Sequence, residues 1–188
     1  MNIMKRFALA LISIFAFLSY AGAQNDDVVY FYGVDFSEVK VIAAAESEQD
    51  FAKAFSAINL LLLNETEKYD FSRVLNKNVK VYSDQMVEKS LSNDYSAMKV
   101  YRYEEQTIDI ADKIKSYKLP HESGTGFVII ARYLDKNTGT AAHHVVLFDI
   151  FTREIISQNK LVSEAGGFGL RNYWARTVYN LALRWSLF

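Results

Sequence analysis

Residues 126–162 read GFVIIARYLDKNTGTAAHHVVLFDIFTREIISQNKLV, and this stretch has the clearest pattern in the chain. Runs rich in β-branched and aromatic residues alternate with turn-forming sequence around Asn137 and Thr152. Because consecutive strands with short connections usually pair with each other, the stretch predicts a three-stranded antiparallel meander. The predicted strands are 127–134, 141–150 and 154 to about 162.

Two longer helices are predicted, one before and one after the meander. Ser47 stands three residues before Asp50, a spacing typical of a capping box, and predicts a helix over 48–65. The tetrapeptide Gly-Gly-Phe-Gly at 166–169 precedes the second helix. The apolar residues at helical spacing are Phe51, Ala54, Phe55, Ile58, Leu61 and Leu62 in the first helix, and Leu170, Trp174, Val178, Leu181 and Trp185 in the second. Both apolar stripes are expected to pack on the sheet.

The other predicted elements are shorter. Strands are predicted over 28–34 and 79–82. Residues 36–41 fit either a second short strand or an extended crossing. Asp84 and Thr107 are each predicted to cap a helix, and the only proline, Pro120, ends the second of these. Without repeats or linkers, the pattern predicts a single α/β (α+β) domain: a mixed sheet with a C-terminal three-stranded antiparallel meander and helices packed on it.

The amino terminus has the order of a secretory signal peptide. Lys5 and Arg6 precede an uncharged stretch over 7–20, which ends in Ala21-Gly22-Ala23. Its apolar core is shorter than the roughly 20 residues that a transmembrane helix needs. We therefore predict a signal peptide over 1–23, a mature domain over 24–188 without an integral membrane segment, and a location in the periplasm or at the cell surface.

Composition excludes several classes of protein. The chain has no cysteine, so it carries neither a disulfide nor a lipidated thiol. Its net charge is −1 with both signs interspersed, which argues against a nucleic-acid partner. The 12 tyrosines and 13 phenylalanines are interpreted as half-buried packing residues, with an aromatic contact surface as the alternative.

Catalytic and metal-binding patterns are weak. His143 and His144 are adjacent on a predicted strand and therefore point to opposite faces. No serine lies in a nucleophile-elbow motif, and no set of residues has metal-ligand spacing. Asp35 and Asp149 each lie at a strand end, and Asp149 is interpreted as a turn residue that accepts from backbone amides. We predict no catalytic residue, no metal and no cofactor.

The glycine-rich loop before the last helix is the best candidate contact. Free amides at a helix start favour anions, and Arg171 adds a fork of donors in the first turn. The candidate ligand- or partner-binding residues are Asp35, Gly167, Gly169, Arg171 and Asn172. The loop has two possible roles. If it is structural, Arg171 and Asn172 bind neighbouring carbonyls or a carboxylate such as Asp35. If it binds a ligand or partner, Arg171 lies at least partly open beside a concavity.

Two stretches, YFYGVDFS at 30–37 and GGFGLRNYWA at 166–175, resemble a group of small, uncharacterised secreted proteins of Gram-negative bacteria. The order of elements is loosely similar to the periplasmic α/β domains of the curli-secretion lipoprotein and of the Tol translocation protein's amino-terminal region. The resemblance implies compartment and fold rather than chemistry, because fold does not fix function. The chain lacks the lipidated cysteine and barrel-forming insertion of the curli protein.

Two functional hypotheses follow. In the first, the chain is an exported, non-enzymatic cell-envelope domain that binds a protein partner or itself, through its sheet edge or the loop around Arg171. In the second, it is a small envelope hydrolase that uses Asp35 with a histidine. Geometry separates the two: if no carboxylate or histidine converges with a hydroxyl in one cleft, the hydrolase hypothesis fails.

Overall fold

A mixed β-sheet forms the centre of the molecule in the computed structural model, which describes residues 28–105 and 107–184. Within these residues, seven strands form one sheet: β1 (Val28–Asp35), β2 (Lys40–Ile42), β3 (Asn78–Val81), β4 (Lys99–Val100), β5 (Thr125–Asp135), β6 (Thr140–Asp149) and β7 (Ile155–Glu164). The helices are α1 (Glu48–Asn64), α2 (Ser72–Leu75), α3 (Asp84–Ser92), α4 (Ile110–Ser116) and α5 (Leu170–Arg184). The predicted signal peptide and Trp185 lie outside the described residues.

Strand β5 is the central strand. Its Thr125–Ile130 part pairs with β1 and its Tyr133–Asp135 part pairs with β2, both in parallel, so β1 and β2 lie end to end along one side of β5. The outer sides of β1 and β2 pair in parallel with β3 and β4. On its other side β5 pairs antiparallel with β6, and β6 pairs antiparallel with β7.

Two irregularities interrupt the line of β1 and β2. A register shift between Phe31 and Val34 includes Gly33, whose φ is +93°. The turn that follows β1 is closed by a hydrogen bond from Val39 N to Phe36 O. Because side chains alternate along a strand, these irregularities decide which face Val34 and Asp35 occupy.

The central strands β1, β5 and β6 are buried on both faces. Helices α1 and α5 cover one face, where Phe55, Ile58, Trp174 and Val178 belong to one apolar cluster with strand residues such as Phe127. On the other face, residues of α3 and α4 pack against β1, β5 and β6; this cluster includes Met86, Ile114, Tyr117, Val128, Ile130 and Val146. The prediction that the helices beginning at Glu48 and Leu170 pack on the sheet is confirmed.

The sequence-based fold is correct as a mixed α/β domain, but the meander needs correction. Its two antiparallel pairings and its turns at Asn137 and Thr152 are present. Its first strand, however, is also the central strand of the parallel part of the sheet, so the meander is not a separate C-terminal unit. Local sequence encodes the hairpins, whereas parallel pairing depends on strands far away in the chain.

The start of α1 is the predicted one, whereas those of α3 and α4 differ from the prediction. The capping box of α1 is present, because Ser47 Oγ accepts from Asp50 N and Asp50 Oδ2 accepts from Ser47 N. The predicted caps Asp84 and Thr107 are wrong. Asp84 is the first residue of α3 rather than its cap, and α4 is capped by Asp109, whose side chain accepts from Asp112 N. In the part of the chain that the structure describes, no helix is long and apolar enough to cross a bilayer.

Candidate functional site

The glycine-rich loop lies at the end of the sheet where β2 and β5 finish. Ala165 N donates to Gly139 O and so joins the end of β7 to the β5–β6 turn, while Lys136 N donates to Ile42 O at the end of β2. A concavity of about 280 Å³ opens here, lined by Glu46, Lys136, Gly167, Gly169, Leu170 and Tyr173. We call this surface, with Phe168, Arg171 and Asn172, the loop end. The carboxyl ends of parallel strands are the usual place for ligands in α/β sheets.

The loop presents one aromatic side chain to solvent. Gly167 and Gly169 have φ values of +102° and +80°, which residues with a Cβ adopt only under strain. They flank Phe168, which is 95% exposed. Gly166 N donates to Tyr173 O and Tyr173 N donates to Gly169 O, so the loop is fixed to the first turn of α5. The backbone therefore holds Phe168 outward.

Arg171 and Asn172 both point to solvent. Arg171 Nε donates to Asn172 Oδ1 at 3.0 Å, and this is a contact between exposed neighbours. Trp174 is 1% exposed, as the apolar stripe of α5 predicted. Arg171 is exposed and its neighbour Leu170 lines the concavity, while its side chain bonds to the Asn172 amide carbonyl, so the choice between the structural and the binding role stays a prediction.

Glu46 and Lys136 supply charge to the concavity. They form an ion pair through Glu46 Oε1, and both side chains are about 30% exposed. Burial alone would raise the pKa of Glu46, but the hydrogen bond and charge of Lys136, together with backbone hydrogen bonds from Glu46 and Ala45, outweigh it and keep the pKa below its ordinary value. The other carboxylate oxygen, Glu46 Oε2, is buried, and no donor among the described residues reaches it.

Asp35 is not part of the loop end, contrary to the prediction that grouped it with the loop residues. It is 1% exposed on the face covered by α3 and α4. Its Oδ2 accepts from Lys89 Nζ at 2.8 Å and from the Tyr117 hydroxyl at 2.7 Å, and Lys113 Nζ lies 3.4 Å away. Its Oδ1 accepts from Ser37 N at 2.8 Å, which fixes the turn after β1.

This ion cluster holds Asp35 as a carboxylate. Burial would raise the pKa of Asp35, but Lys113 and Lys89 together outweigh it and hold the pKa well below its usual range. The pKa of Tyr117 is raised by burial and then by the Asp35 charge. A carboxylate with this low pKa and with Lys89 and Tyr117 on one oxygen is a poor general base. The cluster is best explained as a link between β1, α3 and α4.

The three histidines are dispersed. His121 stacks on Tyr30 with ring centres 3.8 Å apart, and its Nδ1 lies 3.0 Å from the Tyr32 hydroxyl. His143 and His144 point to opposite faces of β6, as predicted. In the described part of the chain, no hydrogen bond joins any of them to Asp35. The pair on which the hydrolase hypothesis rested is therefore not formed.

His143 should stay neutral over the whole physiological range. The Thr177 hydroxyl donates to Trp174 O, so its oxygen accepts from His143 Nε2 at 3.0 Å, and the proton is on Nε2. Burial, followed by the neighbouring His144, lowers the pKa of His143 to about 3. We expect its ring resonances in NMR spectra to be constant between about pH 7 and pH 5, while those of an unperturbed histidine shift near pH 6.5. A midpoint near 6 would contradict this assignment.

Sequence reasoning found part of the loop end and missed the rest. Gly167, Gly169, Arg171 and Asn172 lie together, as predicted, but Glu46 and Lys136 come from other loops and carry no local motif. Within residues 28–105 and 107–184, no group of three His, Asp or Glu residues is placed to hold a metal ion. Asp149 accepts from Thr152 N at 2.7 Å and is the turn residue that was predicted.

No protein-family model matches the chain, and no curated protein matches it. Among solved structures, the chain is similar to the LpoB C-terminal domain from Salmonella enterica, with 15% sequence identity and a TM-score of 0.32. The alignment covers 80% of this chain and 92% of that domain.

Proposed function

We propose that the chain is an exported, non-enzymatic domain of the cell envelope that binds a partner protein through its loop end. The observation that carries the proposal is Phe168, which is 95% exposed at the tip of a loop whose backbone is fixed to α5. Exposed aromatic residues on fixed loops are typical anchors of protein interfaces. The signal-peptide pattern over 1–23 supports export to the periplasm or the cell surface.

The other groups of the loop end fit a protein partner. Arg171 is exposed next to Phe168 and supplies donors for a carboxylate or a backbone carbonyl. The concavity has room for one side chain, which would lie beside the partly exposed Glu46–Lys136 ion pair. An aromatic anchor, an arginine and a small polar recess are features enriched at interfaces between proteins.

Site-specific crosslinking tests the proposal. A photoreactive phenylalanine analogue at position 168, in the full chain produced in its own host, is expected to form an adduct of defined mass with one envelope protein. Phe151 is the matched control, because it is 79% exposed in the β6–β7 turn at the opposite end of the sheet. The same analogue at position 151 should give no such adduct.

Substitution then separates binding from folding. We expect Phe168→Ala to abolish capture of the crosslinked partner and Arg171→Ala to weaken it, while the free energy of unfolding changes by no more than about 0.5 kcal/mol, as is usual for surface sites. Equal adducts from positions 151 and 168, or full capture by both alanine variants, would refute a contact at the loop end.

A further inference from the structure

Strand β7 is an outer edge of the sheet with free backbone groups. It is 10 residues long and, within the described residues, pairs only with β6. Ala165 N donates to Gly139 O, toward β6, and hydrogen-bonding direction alternates along a strand. The N–H and C=O groups of Val162, Lys160 and Gln158 therefore point away from the sheet. They can pair with another strand.

The same edge is chemically self-complementary. Lys160, Val162 and Glu164 are exposed, and their side chains lie on one face because they are two residues apart. If a second copy of β7 lies antiparallel with a two-fold axis at Val162, each Lys160 is opposite Glu164 of the other copy. Val162, which is 58% exposed, then meets its own equivalent. Moving the axis to Lys160 would place the two lysines opposite each other.

We propose that two copies of this chain associate through β7, antiparallel and centred on Val162, so that their sheets join into one. Cross-strand pairs of opposite charge stabilise such an edge, and like charges directly opposite destabilise it. The proposal uses the sheet edge and none of the residues of the loop end. Its failure would leave the proposed partner binding unaffected.

In the proposed dimer, the α5 helices of the two copies would also contact each other. Asn180 Nδ2 donates to Glu164 O at 2.9 Å, which leaves the second lone pair of this carbonyl for the other copy. A groove of about 230 Å³ separates β7 from α5 and is lined by Val162 and Leu181, among others. A two-fold axis perpendicular to the sheet puts both α5 helices on the same face, beside each other. Leu183, which is 55% exposed one turn beyond Asn180, is available to this contact.

Lys160 already has a partner within its own chain. It forms an ion pair with Glu105, but its side chain is 34% exposed and that of Glu105 is 67% exposed. Such an exposed pair contributes little to stability. Exchanging Glu105 for Glu164 of the second copy would therefore cost Lys160 little.

A charge-exchange experiment tests the proposal with the full-length mature chain. Wild-type protein is expected to have twice the single-chain mass in sedimentation equilibrium over a concentration series. Lys160→Glu and Glu164→Lys should each weaken dimerisation by about tenfold or more, because each creates two like-charge pairs. An equimolar mixture of the two variants should form a heterodimer, since every opposed pair in it has opposite charges. Wild-type protein that stays monomeric throughout, or a mixture no more dimeric than its components, would overturn the proposal.

Proline substitutions test the register. Val162→Pro removes only an outward N–H, so it is expected to abolish the dimer and leave the monomer folded. Gln158→Pro removes an equivalent outward N–H beyond the paired segment and should preserve the dimer. The circular dichroism spectrum reports folding of both variants. Loss of the dimer in both variants, or in neither, would overturn pairing centred on Val162.

Discussion

Replacing Asp35 by alanine is expected to lower the free energy of unfolding by about 3 kcal/mol or more, because breaking a buried ion pair leaves an uncompensated charge. The side chain of Lys113 is only 8% exposed and would lose this partner, although Glu38 and Ser37 remain within reach. Urea denaturation at neutral pH measures the loss.

The matched control is Asp112→Ala. Asp112 also pairs with a lysine, Lys115, but the side chains are 72% and 62% exposed. Solvent-exposed pairs contribute about 0–1 kcal/mol, so this variant should be close to wild type. Equal losses from both variants would show that burial of Asp35 has no special role.

The same cluster predicts a dependence on pH. The pKa of Asp35 is lowered in the folded protein, so its contribution to stability is fully present above its unfolded-state pKa of about 3.9 and is lost as pH falls toward the folded-state value. Wild-type protein should therefore lose stability more steeply than Asp35→Asn below about pH 5. If the free energies of unfolding of wild type and Asp35→Asn fell equally as the pH was lowered, Asp35 would not be the source of the acid sensitivity.

Replacing Gly33 by alanine is expected to cost about 3 kcal/mol or more, from backbone strain together with disruption of a buried amide. Its φ is +93°, and an added Cβ would lie 2.5 Å from Asn59 Oδ1 and 2.7 Å from Ser83 Cβ. Asn59 Oδ1 accepts from Val34 N, and Asn59 Nδ2 donates to Val34 O. The substitution would force apart β1 and α1.

Gly169→Ala separates strain from crowding. Gly169 has a φ of +80°, but an added Cβ there would have no neighbour within 4 Å. Gly169→Ala should therefore lower the free energy of unfolding through backbone strain alone, by about 1–2 kcal/mol. Thermal denaturation of the two variants measures the difference, and similar losses would show that Asn59 and Ser83 move aside without cost.

Local sequence predicted those parts of the fold that local interactions determine. The start of α1 follows from Ser47 and Asp50, because each side chain accepts a hydrogen bond from the backbone N–H of the other residue. The hairpins of β5, β6 and β7 follow from the short turns at Asn137 and Thr152. The predicted cap at Thr107 is wrong because Asp109, two residues later, has a carboxylate that accepts from Asp112 N.

Distant partners could not be read from the sequence. The stretch YFYGVDFS predicted a strand, but nothing in it indicates that Gly33 packs on Asn59 or that Asp35 meets lysines from two helices. The loop end is similar in this respect. Gly167 and Arg171 are neighbours in sequence, whereas Glu46 and Lys136 join them only because β2 and β5 end at the same edge.

The position of β1 between β3 and β5 has a consequence for the newly made chain. Val28–Asp35 is the first strand to be synthesised among the described elements, yet its partner β5 comes only after the three strands β2 to β4 and helices α1 to α4. Until Thr125–Asp135 is available, the apolar β1 has an open edge that other chains can pair with. We therefore expect sheet closure to be the slow step of refolding, since pairing between distant segments costs the most loop entropy. Fragments that end before β5 should be the ones that aggregate or require a chaperone.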